Sequence, residues 1–191
     1  MPAEVSVLAV CGSRRDESKT RVALETALES AADCGARTVM ADLDAYELPP
    51  FDPGARAAGD GPRFRREVEA ADAVLLGTPN YHDSYSGVLK NALDYCKREE
   101  FADTTVGLLE VAGGRYPGSA MADLRGVCRI LEAWVLPTQV AVPRSQETVT
   151  GERIVDGEIR ERVRDLGREV VAYAGVAGDR RTAGTARTDA D

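Results

Sequence analysis

Apolar residues recur along the chain in two alternating patterns. Short runs without a polar-apolar alternation fall at Val5–Cys11, Thr38–Leu43, Ala73–Gly77, Thr104–Val111 and Gln139–Val142, and read as strands. Gly12 breaks the first run and Pro143 the last. Between them the apolar positions follow the helical period: 24, 27, 28 and 31 within 18–33, a segment over roughly 62–71, and 88, 89, 92, 93 and 96 within 87–98. Two more helices are predicted. One covers roughly 120–134, capped by Ser119, and the other covers roughly 158–174, with Ile159, Val163, Leu166, Val170 and Tyr173 on one stripe. Strands that are apolar throughout, alternating with helices, imply a parallel sheet covered on both faces. The expected fold is therefore α/β: three layers, with a doubly wound five-stranded parallel sheet of order 2-1-3-4-5. Residues 49–54 form a loop and 55–61 read as mobile. One domain is expected over 1–176, and the polar, glycine- and alanine-rich stretch 177–191 reads as a disordered tail.

Composition narrows the function classes. The formal net charge of −8 argues against nonspecific attraction to nucleic acid or anionic membranes. No apolar run approaches the ~20 residues of a membrane span, and the N-terminus lacks a basic stretch leading into an apolar one, so a soluble cytoplasmic protein is expected. Cys11, Cys34, Cys96 and Cys128 are scattered, without a Cys-x-x-Cys pair or a histidine nearby in sequence. Zinc binding and thioredoxin-like chemistry find no support there, and no metal site is expected. Lys19, Lys90 and Lys97 are the only lysines among 24 basic residues; the others are arginine. Two readings of this stay open, a GC-rich genome or a halophilic, salt-rich cytoplasm.

Three loops concentrate chemistry, and the strand order places them on one rim. Gly12–Thr20 presents hydroxyls at 13, 18 and 20, guanidinium groups at 14 and 15 and an ammonium at 19, all around the N-terminus of the first helix. Unpaired amides and the helix dipole favour a phosphate there, and arginine adds a planar two-pronged donor. The spacing fits neither a Walker A loop nor a Gly-x-Gly-x-x-Gly dinucleotide turn. On the simplest alternative, Ser18 only caps the helix and the charges face solvent. Pro79–Asp94 carries hydrogen-bonding and aromatic groups where the third strand meets a helix, the usual ligand position in open α/β sheets. Ala112–Gly118 is glycine-rich, so its backbone can approach a flat ligand closely.

Two motifs together, Gly12-Ser13-x-Arg15-x-x-Ser18-x-Thr20 and Pro79-x-Tyr81-x-x-Ser84-x-x-Gly87-x-Leu89-Lys90-Asn91-x-x-Asp94, resemble the NADPH-dependent FMN reductase family. Its relatives include chromate, quinone and azo-dye reductases of flavodoxin-like fold, and the resemblance spans roughly residues 4–145. It implies that Ser13, Arg15, Ser18 and Thr20 hold the FMN phosphate, with Lys19 adding backbone contacts. It implies that Pro79, Asn80, Tyr81 and His82 line the isoalloxazine ring and that Gly113 and Gly114 approach it from another side. It further implies NADPH or NADH as electron donor, a flavin, quinone, azo or metal acceptor, and a homodimer or homotetramer. The family often has asparagine where Thr20 and His82 stand, and glutamate where Asn80 stands.

The flavin supplies the redox chemistry in such a site, so no catalytic side chain is named. A flavodoxin-like electron carrier and a nonenzymatic ligand-binding domain are the alternatives. The sole histidine, His82, reads as a contact residue and not as a proton carrier. Tyr81 reads as a ring wall, with Tyr85 left open. Lys90, Asn91 and Asp94 read as a salt-bridged surface or a subunit contact, and Trp134 as a packing residue. Arg115 and Tyr116 divide evenly between binding pyridine nucleotide and lying in an ordinary exposed loop.

Overall fold

A computed structural model describes residues 4–115 and 117–176. β1 (Ser6–Cys11), β3 (Ala73–Pro79) and β4 (Thr105–Val111) are buried from end to end. β2 (Arg37–Asp42) and β5 (Trp134–Val142) form the edges, and part of each reaches the surface. All pairings are parallel and the order is β2-β1-β3-β4-β5, the doubly wound arrangement that the apolar runs predict. The helices are α1 (Lys19–Asp33), α2 (Gly61–Glu69), α3 (Gly87–Tyr95), the single turn α4 (Arg98–Phe101), α5 (Ser119–Ile130), the single turn α6 (Ser145–Thr148) and α7 (Gly157–Ala172). A small hairpin, β6 (Val149–Thr150) with β7 (Arg153–Ile154), precedes α7 and had no counterpart in the apolar pattern. Among the described residues no helix is long and apolar enough to cross a membrane.

Side chains of a strand point alternately to opposite faces, which divides the core in two. Val7, Ala9, Leu75 and Leu109 pack under α1 and α7. Leu8, Val10, Leu76 and Leu108 pack under α2, α3 and α5. The helices α1 and α7 cross closely at Gly167, where a Cβ would lie 2.1 Å from the Ala27 carbonyl oxygen. Tyr173 leaves the predicted stripe: it caps α7, is 45% exposed and tilts its ring against Trp134, with centroids 5.7 Å apart.

The structure differs from the pattern at five points. β5 begins at Trp134 and not at 139, and it carries the exposed Pro137 within it. An edge strand tolerates a residue without an N–H, and the register slips between Val106 and Leu108 opposite it. Because β5 takes Trp134, α5 stops at Ile130, four residues short of the predicted end. The cap of α5 is Gly118, with Ser119 as its first helical residue. The predicted helix 87–98 ends at Tyr95: Cys96 is extended, and α4 restarts at Arg98 after the Lys97 N–H donates to Glu100 Oε2 at 2.6 Å. Residues 55–61, read as mobile, are folded against their neighbours. The Asp60 and Glu47 backbones are tied by bonds of 2.8 Å, one of them to the Asp60 carboxylate, and the Arg56 guanidinium sits 5.1 Å from the Phe51 ring centroid. The predicted tail 177–191 lies outside the described residues.

Candidate functional site

The loops after β1, β3, β4 and β5 meet at the carboxyl ends of the strands and enclose a cleft of about 290 Å³. Gly12 ends β1 and locks two loops together. Its N–H donates to the Gly77 carbonyl at 2.8 Å, and its own carbonyl accepts from Ser86 Oγ at 2.6 Å. A Cβ at position 12 would lie 2.9 Å from Leu89 Cβ and 3.0 Å from Ser86 Oγ, so close approach alone requires glycine here. Ser86 is also the cap of α3, accepting the Leu89 N–H at 3.2 Å.

Within the first loop the structure sorts the charges. Arg14 pairs with Asp44 at 3.0 Å, outside the cleft, and Arg21 pairs with Asp42 at 2.6 Å. Arg15 has no ion pair among the described residues; its guanidinium lines the cleft, 6.0 Å from the Tyr81 ring centroid. Ser13, Lys19 and Thr20 line the same end, and Lys19 Nζ donates to Gln146 Oε1 at 2.6 Å. Ser18 caps α1 by accepting the Arg21 N–H at 3.1 Å, and it faces the neighbouring groove instead of the cleft. Burial pushes the Cys11 thiol up, so this thiol just below the loop stays protonated at neutral pH and is no nucleophile.

The second loop turns back on itself. The Asn80 N–H donates to the Val111 carbonyl at 2.8 Å, and Tyr81 and Ser84 exchange backbone bonds of 3.0 and 3.2 Å. Pro79, Asn80 and Tyr81 line the cleft. His82 does not: it is exposed, with φ of +52°, and Asp83 follows with φ of +68°. Asparagine and histidine are both enriched in this left-handed region, so the exchange of one for the other at 82 keeps a backbone conformation. Lys90 and Asp94 form an ion pair at 2.6 Å along α3, away from the cleft.

Gly113 lines the cleft, and Gly114 lies behind it, accepting the Arg144 N–H at 2.9 Å. A Cβ at either glycine would meet no protein atom within 4 Å. Protein packing therefore does not require glycine at these positions, and the bare backbone faces open space. Arg115 is exposed; Tyr116 lies outside the described residues. Glu17, Val111, Ser145 and Gln146 also line the cleft and were not singled out in the sequence. Ser145 and Gln146 follow β5, and their signal was topological: the strand order sets the loop after β5 beside the loop after β4. There the Ser145 N–H donates to the Ala112 carbonyl at 2.9 Å.

A larger groove of about 580 Å³ adjoins the first loop and shares Glu17 and Lys19 with the cleft. Asp16, Glu25 and Glu152 border it. Burial pushes the Glu25 carboxyl up, opposed by Arg21 and reinforced by Glu152. Size would favour this groove, but its carboxylates make it the poorer place for an anionic group.

Residues 5–147 match the family described as NADPH-dependent FMN reductase. Over 78 residues the chain is 45% identical to an FMN-dependent NADPH-azoreductase of Staphylococcus haemolyticus (strain JCSC1435), covering 41% of this chain and 42% of that protein. It is 44% identical over the same length to the protein of that description from Staphylococcus aureus (strain USA300). The matches thus span about two-fifths of the length of these curated relatives. Among solved structures, FerB, a flavoenzyme NAD(P)H:(acceptor) oxidoreductase from Paracoccus denitrificans, superposes with a TM-score of 0.74 at 20% identity, covering 92% of this chain and 99% of that one. An NADH:FMN oxidoreductase, EmoB in its apo form, gives 0.71 at 19% identity, covering 89% and 90%. At such identities the structures share a fold, and the sequence match carries the kinship: the chain belongs to the NADPH-dependent FMN reductase family.

Proposed function

We propose that the cleft binds FMN noncovalently and that the protein is an NAD(P)H-dependent FMN oxidoreductase. One observation carries this reading: a single cleft joins a cationic, hydroxyl-bearing end to a flat end walled by Pro79, Tyr81 and bare Gly113 backbone. The donor set fits the cofactor. Arg15, Lys19, Ser13 and Thr20 at the start of α1 suit a phosphate monoester, which guanidinium, ammonium, hydroxyl and helix N-terminus all favour. Pro79, Tyr81 and Gly113 suit a planar ring system. The cleft volume, about 290 Å³, falls just below the ~300–1,000 Å³ usual for such ligands.

Bound FMN would supply hydride acceptance from the nicotinamide and electron release to a second substrate. The chain's own residues bind and orient it. No side chain needs to carry a proton, and the His82 ring lies outside the cleft lining. A flavin, quinone, azo compound or oxidised metal ion is the proposed class of acceptor. The open side, where Tyr81 is 42% exposed, is the face that a second copy would close in a homodimer or homotetramer, which light scattering of the full chain tests.

The decisive experiment is to load the protein with FMN and add NADPH or NADH without oxygen. Loss of the yellow colour supports the oxidoreductase. A protein that takes up FMN but resists reduction is an electron carrier, and a colourless protein that cannot be loaded overturns the reading altogether.

A further inference from the structure

We propose that Glu110 is a positioning residue for the flavin ring, acting through the Asn80 side chain; the inference rests on the cleft being the FMN site. Glu110 lies on the interior strand β4, opposite Thr78 of β3 and Ala141 of β5, and is wholly buried. The residue before it on the same face is Leu108, which packs in the apolar core. Oε1 accepts a bond from Asn80 Nδ2 at 2.6 Å. Oε2 has no partner, and it is the single buried side-chain oxygen or nitrogen in that condition among the described residues. A carboxyl placed so costs stability that an apolar side chain of similar volume would not. Its presence calls for a role that packing does not supply.

That role lies one residue above it. The Asp83 N–H donates to Asn80 Oδ1 at 3.1 Å, which commits the oxygen of the Asn80 amide to the turn. The nitrogen then needs an acceptor on its other side. Glu110 provides it, and Ser119 Oγ stands 3.5 Å away. With the amide held at both ends, the turn closes through His82 and Asp83, two residues in the costly left-handed region. Ser119 Oγ donates to Asp83 Oδ1 at 2.6 Å and Ser84 Oγ to Asp123 Oδ2 at 2.7 Å, pinning the far side of the turn to α5. Tyr81, the aromatic wall of the cleft, is carried on this turn. The buried carboxyl thus reaches the flavin through one amide and one turn.

The test compares Glu110→Leu, Glu110→Gln and Asn80→Ala, with FMN affinity measured by fluorescence quenching, the midpoint potential of bound flavin by dye-equilibrated titration, and apoprotein Tm. In Glu110→Leu the FMN Kd rises about tenfold and the potential shifts, while apoprotein Tm stays level or rises because a buried carboxyl is gone. Glu110→Gln keeps an acceptor oxygen and restores affinity to within about twofold of the parent. Asn80→Ala weakens FMN binding as Glu110→Leu does but lowers apoprotein Tm, because it leaves the buried Glu110 carboxyl with no partner, and adding Glu110→Leu to it weakens binding no further. A Glu110→Leu variant with unchanged affinity and potential, or one whose affinity falls only alongside its Tm, overturns the inference. So do losses at 80 and 110 that add. Parent protein that cannot bind FMN overturns the function reading beneath it, and that result is distinct from all of these.

Discussion

Two of the loops that make the cleft are held in different ways. The first, between β1 and α1, is fixed at its two ends: at its start by a glycine forced by close approach to Leu89 and Ser86, and at its end by Ser18, which caps the helix three residues before its bonding partner. Its cleft-facing cation, Arg15, has no ion pair among the described residues, while its neighbour Arg14 is tied to Asp44. The second, between β3 and α3, ties its polar groups to the rest of the protein. Asn80, Asp83 and Ser84 are bound to Glu110, Ser119 and Asp123, all from elsewhere in the chain. A loop that grips a charged group must keep its charges unsatisfied until the ligand arrives. A loop that presents a flat wall gains by satisfying its polar groups within the protein, because rigidity is what it offers the ligand.

Substitutions can break this contrast, starting with the strongest. Arg15→Ala should weaken FMN binding about 10- to 100-fold by removing a charge-assisted contact, and leave riboflavin, which has no phosphate, nearly unaffected. Arg14→Ala should change neither; an equal loss of FMN affinity in the two variants by fluorescence titration would remove the distinction between Arg14 and Arg15. Ser86→Ala attacks the joint between the loops, deleting the bond to Gly12 and the cap of α3 together. A stability loss of about 2 kcal/mol by urea denaturation is expected, with weaker binding of FMN and riboflavin alike.

Glu100 serves as a control far from the rim. Burial alone would raise its pKa, but the Lys97 N–H and Arg65 outweigh burial and hold the carboxyl below its ordinary value of 4.5. A depressed folded-state pKa contributes stability that is present above that value and lost as pH falls through the folded one. The parent should therefore lose stability below about pH 4.5 more steeply than Glu100→Gln, which is weaker by about 1–2 kcal/mol at neutral pH and binds FMN as before. Acid denaturation curves of the two proteins decide this. The smallest effect is expected at His82→Asn. The backbone conformation is kept, so FMN affinity should stay within about twofold and stability within about 1 kcal/mol. A larger change in NADPH oxidation kinetics would show that the imidazole reaches the substrate.

The architecture was legible because strands buried on both faces must be apolar throughout. β1, β3 and β4 are wholly buried, and their runs stood out; of β5, at the edge, only the second half stood out, its first half lying behind Pro137. The first loop was legible for a related reason. Its glycine, hydroxyls and cations are neighbours in sequence because a strand-to-helix turn is a local structure.

What the sequence determined, then, is the layer order, the rim on which the cleft forms, and the set of hydroxyl and cationic groups at 12–20, since each follows from periodicity or short-range chemistry. The family motif had already picked Arg15 over Arg14, and the tertiary structure supplied the reason by tying Arg14 to Asp44. The tertiary structure alone brought Ser145 and Gln146 into the lining, and it alone set the Glu110 carboxyl under Asn80, thirty residues away in the chain. Those pairings depend on which strands lie side by side, and a buried carboxyl within an apolar strand reveals its partner only after the sheet has formed.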